Sequence, residues 1–126
     1  MKLQRIAIIF SSLFAFLAIA IGAFGAHALQ ESLTAYELKI LQTATHYQFI
    51  HAIALLALAS LTAKLPLRFP IYAMIVGTII FSGSLYLIII SNHSFFGAIT
   101  PLGGVSLLAA WARLFFIALK KDQRSE

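Results

Sequence analysis

Residues Thr43–His51 read TATHYQFIH and run, without a Pro or Gly, into the apolar stretch Ala52–Ala63. Polar groups at the head of such a segment mark where a helix passes from water into an apolar phase. Upstream, Thr34-Ala35-Tyr36-Glu37 fits a capping box, with Thr34 as N-cap and Glu37 at the third helical position. No breaker separates Thr34 from Ala63. The pattern predicts one helix of about 29 residues, roughly 43 Å at 1.5 Å per residue. The hydrocarbon core of a bilayer is roughly 30 Å thick, so this second helix must tilt or extend beyond the membrane.

Composition agrees. The chain has 126 residues, of which 61% are hydrophobic and 10% charged, against about a quarter charged in soluble domains. Four spans of about 20 residues use most of this length and leave no room for a separate soluble catalytic domain. There is no Cys, which excludes disulfides, thiolate metal sites and Cys nucleophiles. The net charge of +5 does not point to nucleic acid. The basic residues flank apolar runs, where topology and anionic headgroups account for them.

Spans are expected at about residues 6–26, 44–63, 71–91 and 101–119. The first follows Lys2 and Arg5. It shares features with a secretory signal peptide but is long for one, and three more spans follow, so it reads as an uncleaved helix. Its small residues Ala18, Gly22 and Ala26 share one face, which suits close packing or pairing with another copy as a homo-oligomer. Pro66 and Pro70 bracket a hairpin with Lys64 and Arg68. Asn92-His93-Ser94 and Gly97 form the next turn. Thr100-Pro101 starts the last span, Thr100 as cap and Pro101 at the first helical position. Lys2, Arg5, Lys64, Arg68, Lys120, Lys121 and Arg124 fall on one side, against Lys39 alone on the other. The positive-inside rule then places both termini in the cytoplasm. The expected fold is all-α: an integral membrane four-helix bundle in contact with the lipid bilayer.

Helical geometry splits the opening stretch. His46 and His51 lie about 140° apart around the helix axis. Gln48, His51, Ala52, Leu55, Ala59 and Thr62 share a face that should turn inward, because polar groups facing lipid are costly. His46 shares a face with Lys39, Gln42 and Thr43 near the outer surface, where it is solvated. On the third span Thr78, Ser82 and Tyr86 share one face. Counted from the cytoplasmic ends, His51 is about 18 Å up its helix and Ser82 about 20 Å up the next. His51 is therefore expected to meet Ser82 or Tyr86, and Gln48 to meet Tyr86. Gly22, Gly25, Gly103 and Gly104 fall in the same outer half.

Two uses of these residues compete: hydrogen-bonded ties between helices, and a small outer-leaflet pocket for a lipophilic or anionic ligand held by Gln48, His51, Ser82 and Tyr86. The helix start at Thr100, Gly103 and Gly104 exposes backbone N–H groups that could take an anionic headgroup, though a capped, packed helix start needs no ligand. The histidines form no H-x3-H pair, so no metal site is indicated. No hydrolase, transferase or phosphate-loop motif occurs, and His51, the one acid/base candidate inside a span, has no evident carboxylate partner. No catalytic residue or cofactor is assigned. Trp111 and Arg113 suit the cytoplasmic interface.

Gly22-Ala23-Phe24-Gly25-Ala26-His27 with Leu29, Ala44 with Tyr47-Gln48 and His51, Phe81-Ser82-Gly83-Ser84-Leu85-Tyr86, and Ile99-Thr100-Pro101-Leu102-Gly103-Gly104 with Trp111 occur in that order. In these motifs the chain resembles domain-of-unknown-function family 423, the YgdD-like proteins, over nearly its whole length. The resemblance implies a four-helix integral protein of the bacterial inner membrane and brings no established activity. The expected function is a non-enzymatic structural or interaction unit. Ligand binding near His51 is the alternative, and an enzyme acting on a membrane-embedded substrate a lesser one.

Overall fold

The computed structural model describes residues 2–125; the side chains of residue 26 and of residues 121–125 lie outside that description. Four long helices account for most of the chain. α1 covers Lys2–Ala20 and continues through a π-helical turn, Ile21–Gly25, into one further turn, Ala26–Ala28. α2 is Ala35–Ala59, α3 is Arg68–Ser91 and α4 is Thr100–Ser125, with a 3-10 turn at Ser94–Ala98 before α4. The helices pack in chain order, α1 on α2, α2 on α3 and α3 on α4.

The capping box at the start of α2 is present. Glu37 N donates to Thr34 Oγ1 at 3.1 Å, and Thr34 N donates to the Glu37 carboxylate at 3.4 Å. The other end departs from expectation: α2 has 25 residues and stops at Ala59, four short of Ala63. Ser60 and Thr62 hydroxyls donate to the carbonyls three residues back, Ala57 and Ala59. Backbone bonds also tighten there, with Ser60 N on Ala57 O and Leu61 N on Leu58 O. Ser and Thr hydroxyls compete for helix carbonyls, and the turn ahead of Pro66 is disfavoured for helix. Sequence periodicity does not register this competition.

Pro70 also departs from expectation. It stands inside the first turn of α3, which begins at Arg68. The first-turn N–H groups have no intrahelical acceptor, so a Pro there forfeits nothing. Asn92 closes α3 in the left-handed conformation at φ 57°, its N–H reaching Ile88 O at 3.0 Å. Asn tolerates that conformation better than most side chains.

Among the described residues, three helical stretches, Lys2–Gly25, Arg68–Ser91 and Ser94–Lys120, are long and apolar enough to cross a membrane. α2 is not among them, because it carries Gln42, Thr43, Thr45, His46, Gln48 and His51 along its body. Its buried face is Ile40, Leu41, Ala44, Gln48, His51, Ala52, Leu55, Leu58 and Ala59. This is the inward face that helical spacing indicates. The apolar core lies mainly towards the Lys2 end of α1, joining Ala7 and Phe14 to Leu55, Leu58, Ile71, Met74, Ala110 and Ile117. Phe16, Phe24, Ile53, Ile79, Ile90, Leu102 and Leu108 face outward. In water such surfaces would associate; in a bilayer they meet lipid.

Candidate functional site

Side-chain bonds join the helices, and most end on a backbone carbonyl. Ser11 Oγ donates to Ala52 O at 2.7 Å, tying α1 to α2. Gln48 Nε2 donates to Phe14 O at 2.8 Å, a second tie between the same helices. Ser82 Oγ donates to Ala44 O at 2.8 Å and Tyr86 OH to Gln48 Oε1 at 2.7 Å, joining α3 to α2. Ser106 Oγ donates to Ala73 O at 2.8 Å between α4 and α3. A helix carbonyl already paired along its own helix has a second lone pair to accept such a bond. Short hydroxyls reach it only where backbones lie close, which is the geometry that small residues permit.

Among the described residues, His51 anchors the side-chain bond between α2 and α4. Trp111 Nε1 donates to His51 Nε2 at 3.0 Å. An indole N–H can only donate, so Nε2 must accept and the ring proton resides on Nδ1. His51 Nδ1 lies 2.7 Å from Tyr47 O and donates to it. The ring is thus a neutral imidazole with both nitrogens engaged, and 4% of the residue is exposed. The expected pairing with the third span is corrected here. Ser82 is committed to Ala44 and Tyr86 to Gln48, so His51 turns to α4. The expected Gln48–Tyr86 bond is present.

Thr100 does not act as a cap. Its Oγ1 lies 2.5 Å from Ser84 Oγ and 3.3 Å from Phe96 O, so it ties the α3–α4 hairpin. Pro101 follows as the second residue of α4. Gly103 is the point of closest approach. A Cβ there would stand 2.4 Å from Phe81 N and 2.8 Å from Gly77 O, so its backbone is packed against α3 and is not presented outward. Gly104 sits partly exposed, with space for a Cβ 3.9 Å from Phe81. The glycines of this helix start therefore serve packing at Gly103. Thr78 completes the α3 face as its exception: Oγ1 is buried and has no hydrogen-bond partner among the described residues.

The residues sequence reasoning gathered thus divide among three ties. Gln48, Tyr86 and Ser82 fasten α3 to α2, His51 fastens α4 to α2, and Thr100 fastens α4 to α3. Gln48, His51 and Ser82 are buried against these partners. Of the small-residue stripe of α1, Ala18 is buried, while Gly22 is half-buried with room for a Cβ 3.9 Å from Thr45 of α2. Ala26, the third residue of that stripe, lies outside the described side chains.

An open groove runs over this stripe, between α1 and α2. It measures about 450 Å³ and is lined by Ala18, Ile19, Gly22, Ala23, Gln42, Thr45, His46 and Phe49. Helical spacing places His46 at the solvated outer surface and gives no sign of this groove. The available signal was the pairing of small residues on α1 with polar residues on the flank of α2. Among the described residues, no three of His, Cys, Asp and Glu cluster as metal ligands.

Long apolar helices, lipid-facing aromatic and aliphatic surfaces and polar groups turned inward define an integral membrane protein. The chain belongs to the family described as protein of unknown function (DUF423), whose model matches residues 21–104. It is 37% identical over 124 residues to the UPF0382 inner membrane protein YgdD of Escherichia coli (strain K12), covering 96% of this chain and 95% of that one. It is 36% identical over 121 residues to the UPF0382 membrane protein YwdK of Bacillus subtilis (strain 168), covering 93% and 98%. No solved structure matches the chain significantly.

Proposed function

We propose that the protein is a non-enzymatic structural or interaction unit of the bacterial inner membrane. In this reading all four helices cross the bilayer, both termini are cytoplasmic, and the first turns of α2 extend beyond the outer surface. The observation that carries the proposal is the state of His51. It is the one imidazole buried within the helices, it is held neutral between Tyr47 O and Trp111 Nε1, and neither ring nitrogen is left for acid/base work. The residues that resembled a ligand set are engaged in interhelical bonds, and such bonds average about 0.6 kcal/mol each in membranes. They specify how the helices sit.

An interaction unit then acts through its outward faces. Association with a second copy is part of this reading, and it would use outward α1 or α4 surfaces such as Phe16, Leu102 and Leu108, since Ala18 is buried. Photo-reactive residues placed singly at Phe16 and Leu108 in the native membrane test this. A discrete protein adduct, to the same chain or to another membrane protein, is expected. Adducts to lipid alone from both faces would overturn the proposal.

A further inference from the structure

We propose that the groove between α1 and α2 seats one anionic phospholipid, its headgroup towards the α1–α2 connection and an acyl chain along Ile19 and Phe49. The groove is open on its outer side, and its volume of about 450 Å³ holds part of a lipid, the rest lying in the bilayer. Its lining changes character along its length. Gln42 and His46 on α2, opposite Gly22 and Ala23 on α1, form the end nearer the connection; Ala18, Ile19 and Phe49 form the deeper end. Polar groups therefore stand where a bilayer places headgroups and apolar groups where it places chains. A second protein helix laid in the groove would have to bury the Gln42 amide and the exposed His46 ring, whereas a lipid headgroup can bond both.

Charge selects the headgroup. Lys39 lies seven residues before His46 on the same flank of α2 and is exposed, so its ammonium is available to a phosphate at the rim. Gln42 and His46 add N–H donors; Thr45 does not, since its hydroxyl already donates to Leu41 O and Gln42 O. Of the carboxylates at this end, Glu37 is engaged in the Thr34 cap, and exposed Glu31 lies in the connection.

Gly22 supports the assignment. A Cβ there would stand 3.9 Å from Thr45, an ordinary contact, whereas at Gly103 it would meet backbone at 2.4 Å. Glycine in a helix costs about 1 kcal/mol relative to Ala, and no steric need offsets that at Gly22. The space it leaves is the floor of the groove.

The test uses the full-length protein in detergent and native mass spectrometry, titrated separately with phosphatidylglycerol and phosphatidylethanolamine. One retained phosphatidylglycerol per chain is expected, preferred by at least about fivefold, the ratio one basic residue supplies near anionic lipid. The exposed-rim variant Lys39→Gln with His46→Leu should lose that preference. Gly22→Leu, which fills the groove, should lose the bound lipid while its unfolding temperature stays within a few degrees of the parent; if that variant does not fold, the rim variant decides. Equal retention of both lipids by the parent, an unchanged preference in the rim variant, or displacement of the lipid by millimolar inorganic phosphate would overturn the proposal. The outcome is independent of the interaction-unit reading, which the crosslinking experiment decides.

Discussion

Trp111 on α4 donates its indole N–H to Nε2 of His51 on α2 at 3.0 Å, and this single bond fixes the tautomer of the one buried histidine. Replacing Trp111 with Phe keeps an aromatic ring and removes the donor. The loss expected is about 1 kcal/mol, the scale of a buried acceptor left unpaired in a membrane protein. Unfolding in mixed micelles measures it. His51→Leu in the Trp111→Phe background should recover part of the loss, because the orphaned acceptor is then gone.

Gln48 is held at both ends, by Phe14 O and Tyr86 OH. A double-mutant cycle of Gln48→Leu with Tyr86→Phe isolates the second bond, and a coupling of about 0.5–1.5 kcal/mol is expected. A coupling near zero would remove Gln48 as a bridge across α1, α2 and α3.

The glycines of α4 should behave differently from one another. Gly103→Ala must displace α3 backbone and is expected to cost about 3 kcal/mol or more, the upper end for overpacking. Gly104→Ala meets only ordinary contact and should be neutral or slightly stabilising, since Ala is the better helix former. Thermal unfolding of the two variants side by side shows the contrast.

Thr78 Oγ1 is buried without a partner. Thr78→Val replaces that hydroxyl by a methyl of similar size. Removing an unsatisfied buried polar group should raise stability by about 1 kcal/mol. A loss of that size would mean the hydroxyl is bonded in the membrane.

The absence of native Cys allows single-cysteine labelling to test topology. With four spans, Glu31→Cys should react with an impermeant maleimide from the periplasmic side and Lys64→Cys should not. Equal labelling of both would mean that α2 does not cross.

Local signals were readable in the sequence and cross-chain ones only partly. The Thr34–Glu37 box lies within four residues, so spacing alone identifies it. The Gln48–Tyr86 contact follows from depth and face on adjacent helices. The His51–Trp111 contact was hidden because it joins α2 to α4, which are not consecutive in the chain, and depth and face were matched only between consecutive helices. The π-helical turn at Ile21–Gly25 had no signature either, because apolar periodicity reports which face is buried and not how the backbone is wound. The groove beside that turn was missed for the same reason.

His51 is a neutral, fully bonded tie between helices. Nitrogen-15 NMR of histidine-labelled protein in nanodiscs at neutral pH reads this directly. One His51 species is expected, protonated on Nδ1, whose Nε2 signal moves when Trp111 becomes Phe. A ring protonated on Nε2, or one indifferent to Trp111, would contradict it.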